Sequence, residues 1–177
     1  HSLVLLKNKD EVLPLKKGQK IWLYGIEPKA AQAAGLTVVD TPEKADVALI
    51  RAQAPYEQPH QQWFFGKRHH EGSLVFTEEN ADYQAIVKAS KSVPTIVTVY
   101  LDRPAILTNV ADKAKAVIGN FGVSDTVLFT RLTGTQAYTG KLPFELPSSM
   151  EAVLKQKSDM PHDSESPLFE IGFGLAR

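Results

Sequence analysis

Between Ala54 and Ser73 the chain gathers candidate acids and bases beside aromatic and basic side chains. Glu57, Glu71, His60, His69 and His70 stand there among Arg51, Lys67, Arg68, Tyr56, Trp63, Phe64 and Phe65. Cleavage of a glycosidic bond requires two carboxylates flanking that bond, and a sugar site adds aromatic platforms with polar groups that grip hydroxyls. The segment supplies one or two carboxylates and several aromatics. On residue types alone, it reads first as a surface connection whose aromatics pack on a sheet edge and whose acids are solvated.

Other chemistries find less support. His69-His70-Glu71 has the residue types of a metal site, but adjacent histidines on a strand or turn point opposite ways and no third ligand has a suitable spacing. No metal and no cofactor is expected. The chain lacks the glycine-rich phosphate-binding patterns and the G-x-S-x-G nucleophile elbow. Ser124 and Asp125 read as a helix cap, and Asp102, before Arg103-Pro104, as a strand-end turn.

The elements that must position the 54–73 segment follow from pattern. Ser2 to Leu15 is an extended lead-in, where Pro14 argues against helix. Strands are predicted over Ile21 to Ile26, Leu36 to Val39, Asp46 to Ile50, Thr95 to Leu101 and Lys115 to Asn120. Between them, Pro28 to Ala34 reads as a short helix with proline at its start and Gly35 at its stop. Glu78 to Ser90 is the strongest helix, with Thr77 as its predicted cap and Ala81, Ala85, Ile86 and Ala89 on one face. Shorter helices are expected over Pro104 to Ala114 and over Ser124 to Thr133, the latter closed by Gly134.

This alternation predicts a three-layer α/β/α sandwich with a mostly parallel, flavodoxin-like open sheet. Two stretches break the rhythm, Ala54 to Ser73 and the polar Ser158 to Pro167. A long connection without its own periodicity is often functional. The first one also follows the Val47 to Ile50 run, at whose carboxyl end an open α/β sheet places its ligand crevice.

Composition narrows the partners. The 177 residues carry 20 basic and 20 acidic side chains, 43% hydrophobic residues and no cysteine. That is enough for one core and one domain spanning residues 1–177. Balanced charge without a Lys/Arg run argues against nucleic acid. No apolar stretch reaches the roughly 18 residues needed to cross a bilayer, which predicts a soluble protein with no membrane partner. The absence of cysteine suits cytoplasm, periplasm or a secreted enzyme. A start at His1 that runs directly into Leu3 to Leu6 suggests a fragment of a longer polypeptide, with any targeting signal outside it.

Four segments carry a resemblance. They are Ser2-Leu3-Val4-Leu5-Leu6-Lys7-Asn8 with Leu13-Pro14-Leu15; Ala45-Asp46-Val47-Ala48; Gly140-Lys141-Leu142-Pro143-Phe144-Glu145-Leu146-Pro147; and Pro167-Leu168-Phe169-Glu170-Ile171-Gly172-Phe173-Gly174-Leu175. In order and spacing they resemble the C-terminal α/β domain of glycoside hydrolase family 3, β-glucosidase type, over nearly the whole chain. The resemblance implies a domain stacked beside an N-terminal barrel, the active site between them, and a glycoside or oligosaccharide substrate. It implies retaining, exo-acting hydrolysis, with an Asp nucleophile from the barrel and an acid/base carboxylate, commonly a Glu, from a loop of this domain.

Pro55-Tyr56-Glu57 is similar to the Pro-Tyr stretch that precedes the acid/base Glu in some members, with the register offset by one residue. Glu57 is therefore the first choice for the acid/base and Glu71 its competitor. Tyr56, Trp63, Phe64, Phe65, Arg68 and His70 are the candidate substrate contacts, with the three apolar aromatics forming a leaving-group subsite. Two alternatives stand beside this. The chain is a non-catalytic domain, as in the β-N-acetylhexosaminidase branch, where a barrel His/Asp pair does the work, or it is a free-standing module that binds a small ligand or partner. For a β-glucosidase-type enzyme, a periplasmic or secreted location is slightly favoured over the cytoplasm.

Overall fold

The computed structural model describes residues 3–53, 80–101, 107–135, 138, 140, 142–143 and 174–175. Six strands form one sheet: β1 (Leu3–Asn8), β2 (Lys20–Tyr24), β3 (Thr37–Val39), β4 (Val47–Gln53), β5 (Thr95–Tyr100) and β6 (Ala116–Asn120). Their spatial order is β1-β6-β5-β4-β2-β3. β2 pairs in parallel with β3 and β4, β4 with β5, and β5 with β6, while β1 runs antiparallel to β6. The parallel part has the flavodoxin-like order, in which the chain leaves β2 for one edge, returns past it, and then builds outward in the other direction.

The strands are buried runs because helices cover both faces. All of β6 and all but the last residue of β5 are buried, as expected when a parallel sheet has no solvent side. Val97, Val99 and Val117 pack toward α2 (Ala81–Ser90) and α3 (Thr108–Lys113), through Tyr83, Ile86, Ala89 and Val110. Leu49, Ile96 and Ile118 pack toward α1 (Pro28–Ala33) and α4 (Asp125–Leu132), through Ala31, Leu128, Phe129 and Leu132. Each fully buried Leu or Ile contributes about 1.5–3 kcal/mol by leaving water. A short 3₁₀ turn, Pro42–Lys44, leads into β4.

Among the boundaries that differ from the sequence expectation, two flank the 54–73 segment. The long helix is described from Ala81, and its cap is Asn80, whose side-chain oxygen accepts the Tyr83 backbone N–H at 2.9 Å. Thr77, the predicted cap, lies outside the described residues. Asn is as good a cap as Thr, and the competing signal was the acidic run between them. β4 also continues past Ile50 to Gln53, because Arg51, Ala52 and Gln53 pair with Thr98, Val99 and Tyr100.

The N-terminal lead-in is the edge strand β1, and its outer side is partly covered. The Leu175 backbone N–H donates to the Leu5 carbonyl at 2.8 Å. Gly140 lies so close to β1 that a Cβ there would collide with the carbonyl oxygen of Leu3. This is the physical reason for glycine at the head of the Gly-Lys-Leu-Pro run.

Candidate functional site

β2 and β4 are neighbours whose chain connections diverge, so the topological switch point of the sheet lies between Tyr24 and Gln53, the last residues of those strands. Ligands of open α/β sheets bind in the crevice outside the carboxyl ends of such strands. Beyond Gln53 the chain enters the connection that contains Ala54 to Ser73, and it is described again at Asn80.

On one face, Arg51 of β4 forms an ion pair with Asp125, in the first turn of α4. Asp125 also accepts the Glu27 backbone N–H at 3.5 Å. One carboxylate thus joins β4, the turn after β2 and the start of α4. The positive end of the α4 dipole favours that charge. Ser124 is the cap itself and accepts the Val127 N–H at 3.3 Å. Gly25, at φ +76°, ends β2 beside Arg51, where an added Cβ would sit 3.2 Å from the Arg51 carbonyl oxygen. A left-handed backbone at so close an approach requires glycine.

On the opposite face, Asp82 in the first turn of α2 accepts the Gln53 backbone N–H at 3.1 Å. Tyr24, the last residue of β2, lies on this same face of the sheet. Burial holds the Tyr24 phenol above its ordinary pKa, reinforced by the nearby Asp82 carboxylate. The Tyr24 ring lies 6.3 Å from that of Trp22 at an interplanar angle of 35°. The Lys88 ammonium stands 6.0 Å from the Trp22 ring centre, within reach of a cation–π attraction.

The rim continues along the sheet. Asn120, buried at the end of β6, accepts the Gly122 and Val123 N–H groups at 2.8 and 3.1 Å and so shapes the turn into α4. Tyr100, at the end of β5, is 39% exposed. A hollow of about 560 Å³ lies on the flank of α2 and is lined by Tyr83, Gln84, Val87, Lys88 and Lys91. It reaches Ser92 and Lys113, at the carboxyl ends of α2 and α3, and so opens away from the switch point.

The sequence-predicted site residues Tyr56, Glu57, Trp63, Phe64, Phe65, Arg68, His70 and Glu71 lie outside the described residues. Sequence reasoning passed over Asp82, Tyr24 and Gln53. Asp82 figured only as a residue of the predicted helix Glu78 to Ser90, and Tyr24 only as a residue of the predicted strand Ile21 to Ile26. No spacing rule links positions 24, 53 and 82, which meet only through the sheet order. Among the described residues no three His, Asp or Glu side chains cluster in a way that would hold a metal ion.

Comparison with known proteins agrees with this architecture. The family model for the glycosyl hydrolase family 3 C-terminal domain matches residues 3–176. A periplasmic beta-glucosidase/beta-xylosidase of Dickeya chrysanthemi is 64% identical over 174 residues, which is 98% of this chain and 26% of that protein. Beta-glucosidase C of Emericella nidulans is 40% identical over 177 residues, covering 98% of this chain and 28% of its own length. A solved beta-glucosidase from Chaetomella raphigera superposes with a TM-score of 0.75 at 18% identity, over 98% of this chain and 34% of that structure; at that identity the likeness speaks for the fold. The chain thus spans about a quarter of the length of the curated relatives it matches. On its sequence over nearly every position, and with the fold in agreement, this chain belongs to the glycosyl hydrolase family 3 C-terminal domain family.

Proposed function

We propose that the chain is one domain, residues 1–177, of an exo-acting, retaining β-glycosidase of the β-glucosidase type, and that it supplies the acid/base loop and one wall of the active site. The observation that carries this reading is the departure of the Ala54 to Ser73 segment from the carboxyl end of β4, at the switch point of the sheet. Family membership and relatives named as β-glucosidases support it. The partner is an N-terminal barrel of the same polypeptide. The substrates are terminal β-linked glucosides and, by similarity to the Dickeya chrysanthemi relative, xylosides.

In this reading a loop carboxylic acid, Glu57 first and Glu71 second, gives its proton to the glycosidic oxygen. A barrel carboxylate meanwhile bonds to the anomeric carbon and the aglycone leaves. The loop carboxylate then takes a proton from water as that water displaces the barrel carboxylate, which restores both groups. Tyr56, Trp63, Phe64, Phe65, Arg68 and His70 line the leaving-group side. No cofactor or metal enters these steps. The name of the Dickeya chrysanthemi relative supports a periplasmic location, and among the described residues no helix is long and apolar enough to cross a membrane.

The test replaces Glu57 and Glu71 singly by Gln in the polypeptide that carries this domain with its barrel. The expected result is a large kcat loss for one of them on aryl β-glucosides, with azide restoring turnover by standing in for the base-activated water. Full activity in both variants would remove the acid/base from this loop.

A further inference from the structure

We infer that Tyr100 and Gln53 form a platform for the leaving-group sugar, the Tyr100 ring stacking on a pyranose face while the Gln53 side-chain amide holds hydroxyls at the rim of that sugar. The inference rests on the reading of this chain as one wall of a β-glycosidase active site.

The burial of β5 breaks at its last residue. Thr95 to Val99 are buried, whereas Tyr100 is 39% exposed, and no large apolar side chain among the described residues is more exposed. A single exposed aromatic is ordinary on a protein surface. What sets Tyr100 apart is its neighbourhood. Gln53 of β4 is its register partner on one side and Asn120 of β6 on the other, so the three side chains leave the same face of the sheet, from strands about 4.8 Å apart. Gln53 is exposed as well. An amide with two donor hydrogens and an acceptor oxygen therefore adjoins an open aromatic ring. That pairing suits a pyranose, whose C–H faces are apolar and meet the negative face of an aromatic ring, while its hydroxyls require donors and acceptors at the edge. Both residues end their strands at the carboxyl edge, where an open α/β sheet takes its ligand.

The surroundings leave the corner open, stiff and neutral. Gly122, in the turn after β6, has no side chain, and a Cβ there would stand 3.9 Å from Cε2 of the Tyr100 ring. Asn120 commits its side-chain oxygen to the Gly122 and Val123 N–H groups, which fixes the turn that borders the ring. Arg51, two residues before Gln53 on the same face, is paired with Asp125. The nearest cation is thus already matched, and the corner offers uncharged groups to an uncharged sugar. Groups held in place before binding lose little freedom when the ligand arrives.

The experiment uses the barrel-containing polypeptide and two substrates that both need a general acid but differ in what leaves. A β-linked glucose disaccharide releases a pyranose, and methyl β-glucoside releases methanol. Tyr100→Ala is expected to lower kcat/KM on the disaccharide about three- to tenfold more than on methyl β-glucoside, the size of a lost stacking contact. Tyr100→Phe and Tyr100→Trp keep a ring and keep the preference for the disaccharide. Gln53→Ala shifts the preference in the same direction by about three- to tenfold, as for a lost hydrogen bond, and provides the readout should Tyr100→Ala fail to fold. If Tyr100→Ala and Gln53→Ala change both substrates equally, or change neither, the platform is overturned. It is overturned too if Tyr100→Phe loses as much as Tyr100→Ala. Glu57→Gln and Glu71→Gln are measured alongside, since loss of the general acid depresses both substrates together. Full activity in both Glu variants removes the acid/base from the loop, an outcome read separately from the substrate ratio that decides the platform.

Discussion

Arg51 and Asp125, 74 positions apart, form an ion pair that fastens β4 to the first turn of α4 beside the switch point of the sheet. The side chains retain 30% and 19% exposure, between a surface pair and a buried one. Surface pairs contribute little, whereas loss of one partner of a buried pair costs several kcal/mol. Arg51→Ala or Asp125→Ala is expected to cost about 1–2 kcal/mol. Urea unfolding of both single variants and the double variant measures the coupling, and additive single effects would dissolve the pair as a stabilising unit.

Gly140→Ala forces a methyl group against the Leu3 carbonyl, and a backbone atom cannot step aside as a side-chain tip does. The expected cost is about 1–3 kcal/mol, as for other overpacked sites. Because the collision is with β1, hydrogen exchange should quicken at the β1 amides Leu3 to Leu6 before it does in β4 or β5. Uniform exchange across the sheet would contradict this.

Tyr138 is 3% exposed, and its hydroxyl finds no hydrogen-bond partner among the described residues. Burial pushes its pKa far above the ordinary phenol value, against a smaller opposing effect of Arg131. A phenol whose folded pKa is raised keeps its stability contribution below pH about 10, and loses it as pH climbs toward the folded value, since the unfolded chain releases the proton first. Tyr24 titrates in the same sense. Tyr138→Phe removes the unpaired hydroxyl and should raise stability at neutral pH by about 1 kcal/mol. It should also lessen the decline above pH about 10 seen by thermal melting in parallel buffers. An alkaline decline identical to that of the parent protein would contradict the assignment.

Asn80→Ala removes the cap of α2 and leaves the Tyr83 N–H without its partner. A loss of about 1 kcal/mol is expected, with Asn80→Asp close to neutral. If the Asp variant falls as far as the Ala variant, the cap is not what Asn80 contributes.

Much of the fold was legible because its signals are local. The strands that begin at or beside Ile21, Val47, Thr95 and Ala116 stand in the sheet within a few residues of their predicted bounds, since β-favouring apolar runs between turn residues need no partner to be recognised. Ser124 was legible as a cap for the same reason. Asn80 was missed because Thr77 and the acids after it made a competing start signal. Arg51 was grouped with the loop because a charge ending an apolar run reads as exposed, whereas the pairing with Thr98 keeps it in β4.

The sequence by itself determined the α/β character of the chain, its family, and the segment to which acid/base chemistry is assigned, because periodicity, turn residues and motif order are written along one dimension. Only the tertiary structure decided that β1 is an antiparallel edge beside β6, that the switch point falls between β2 and β4, and that Asp82 of α2 reaches the Gln53 N–H of β4 while Asp125 joins Arg51 to the turn after β2. Those contacts link residues dozens of positions apart. They form because strand order, set by how two helical layers bury both faces of one sheet, brings the groups within hydrogen-bond reach.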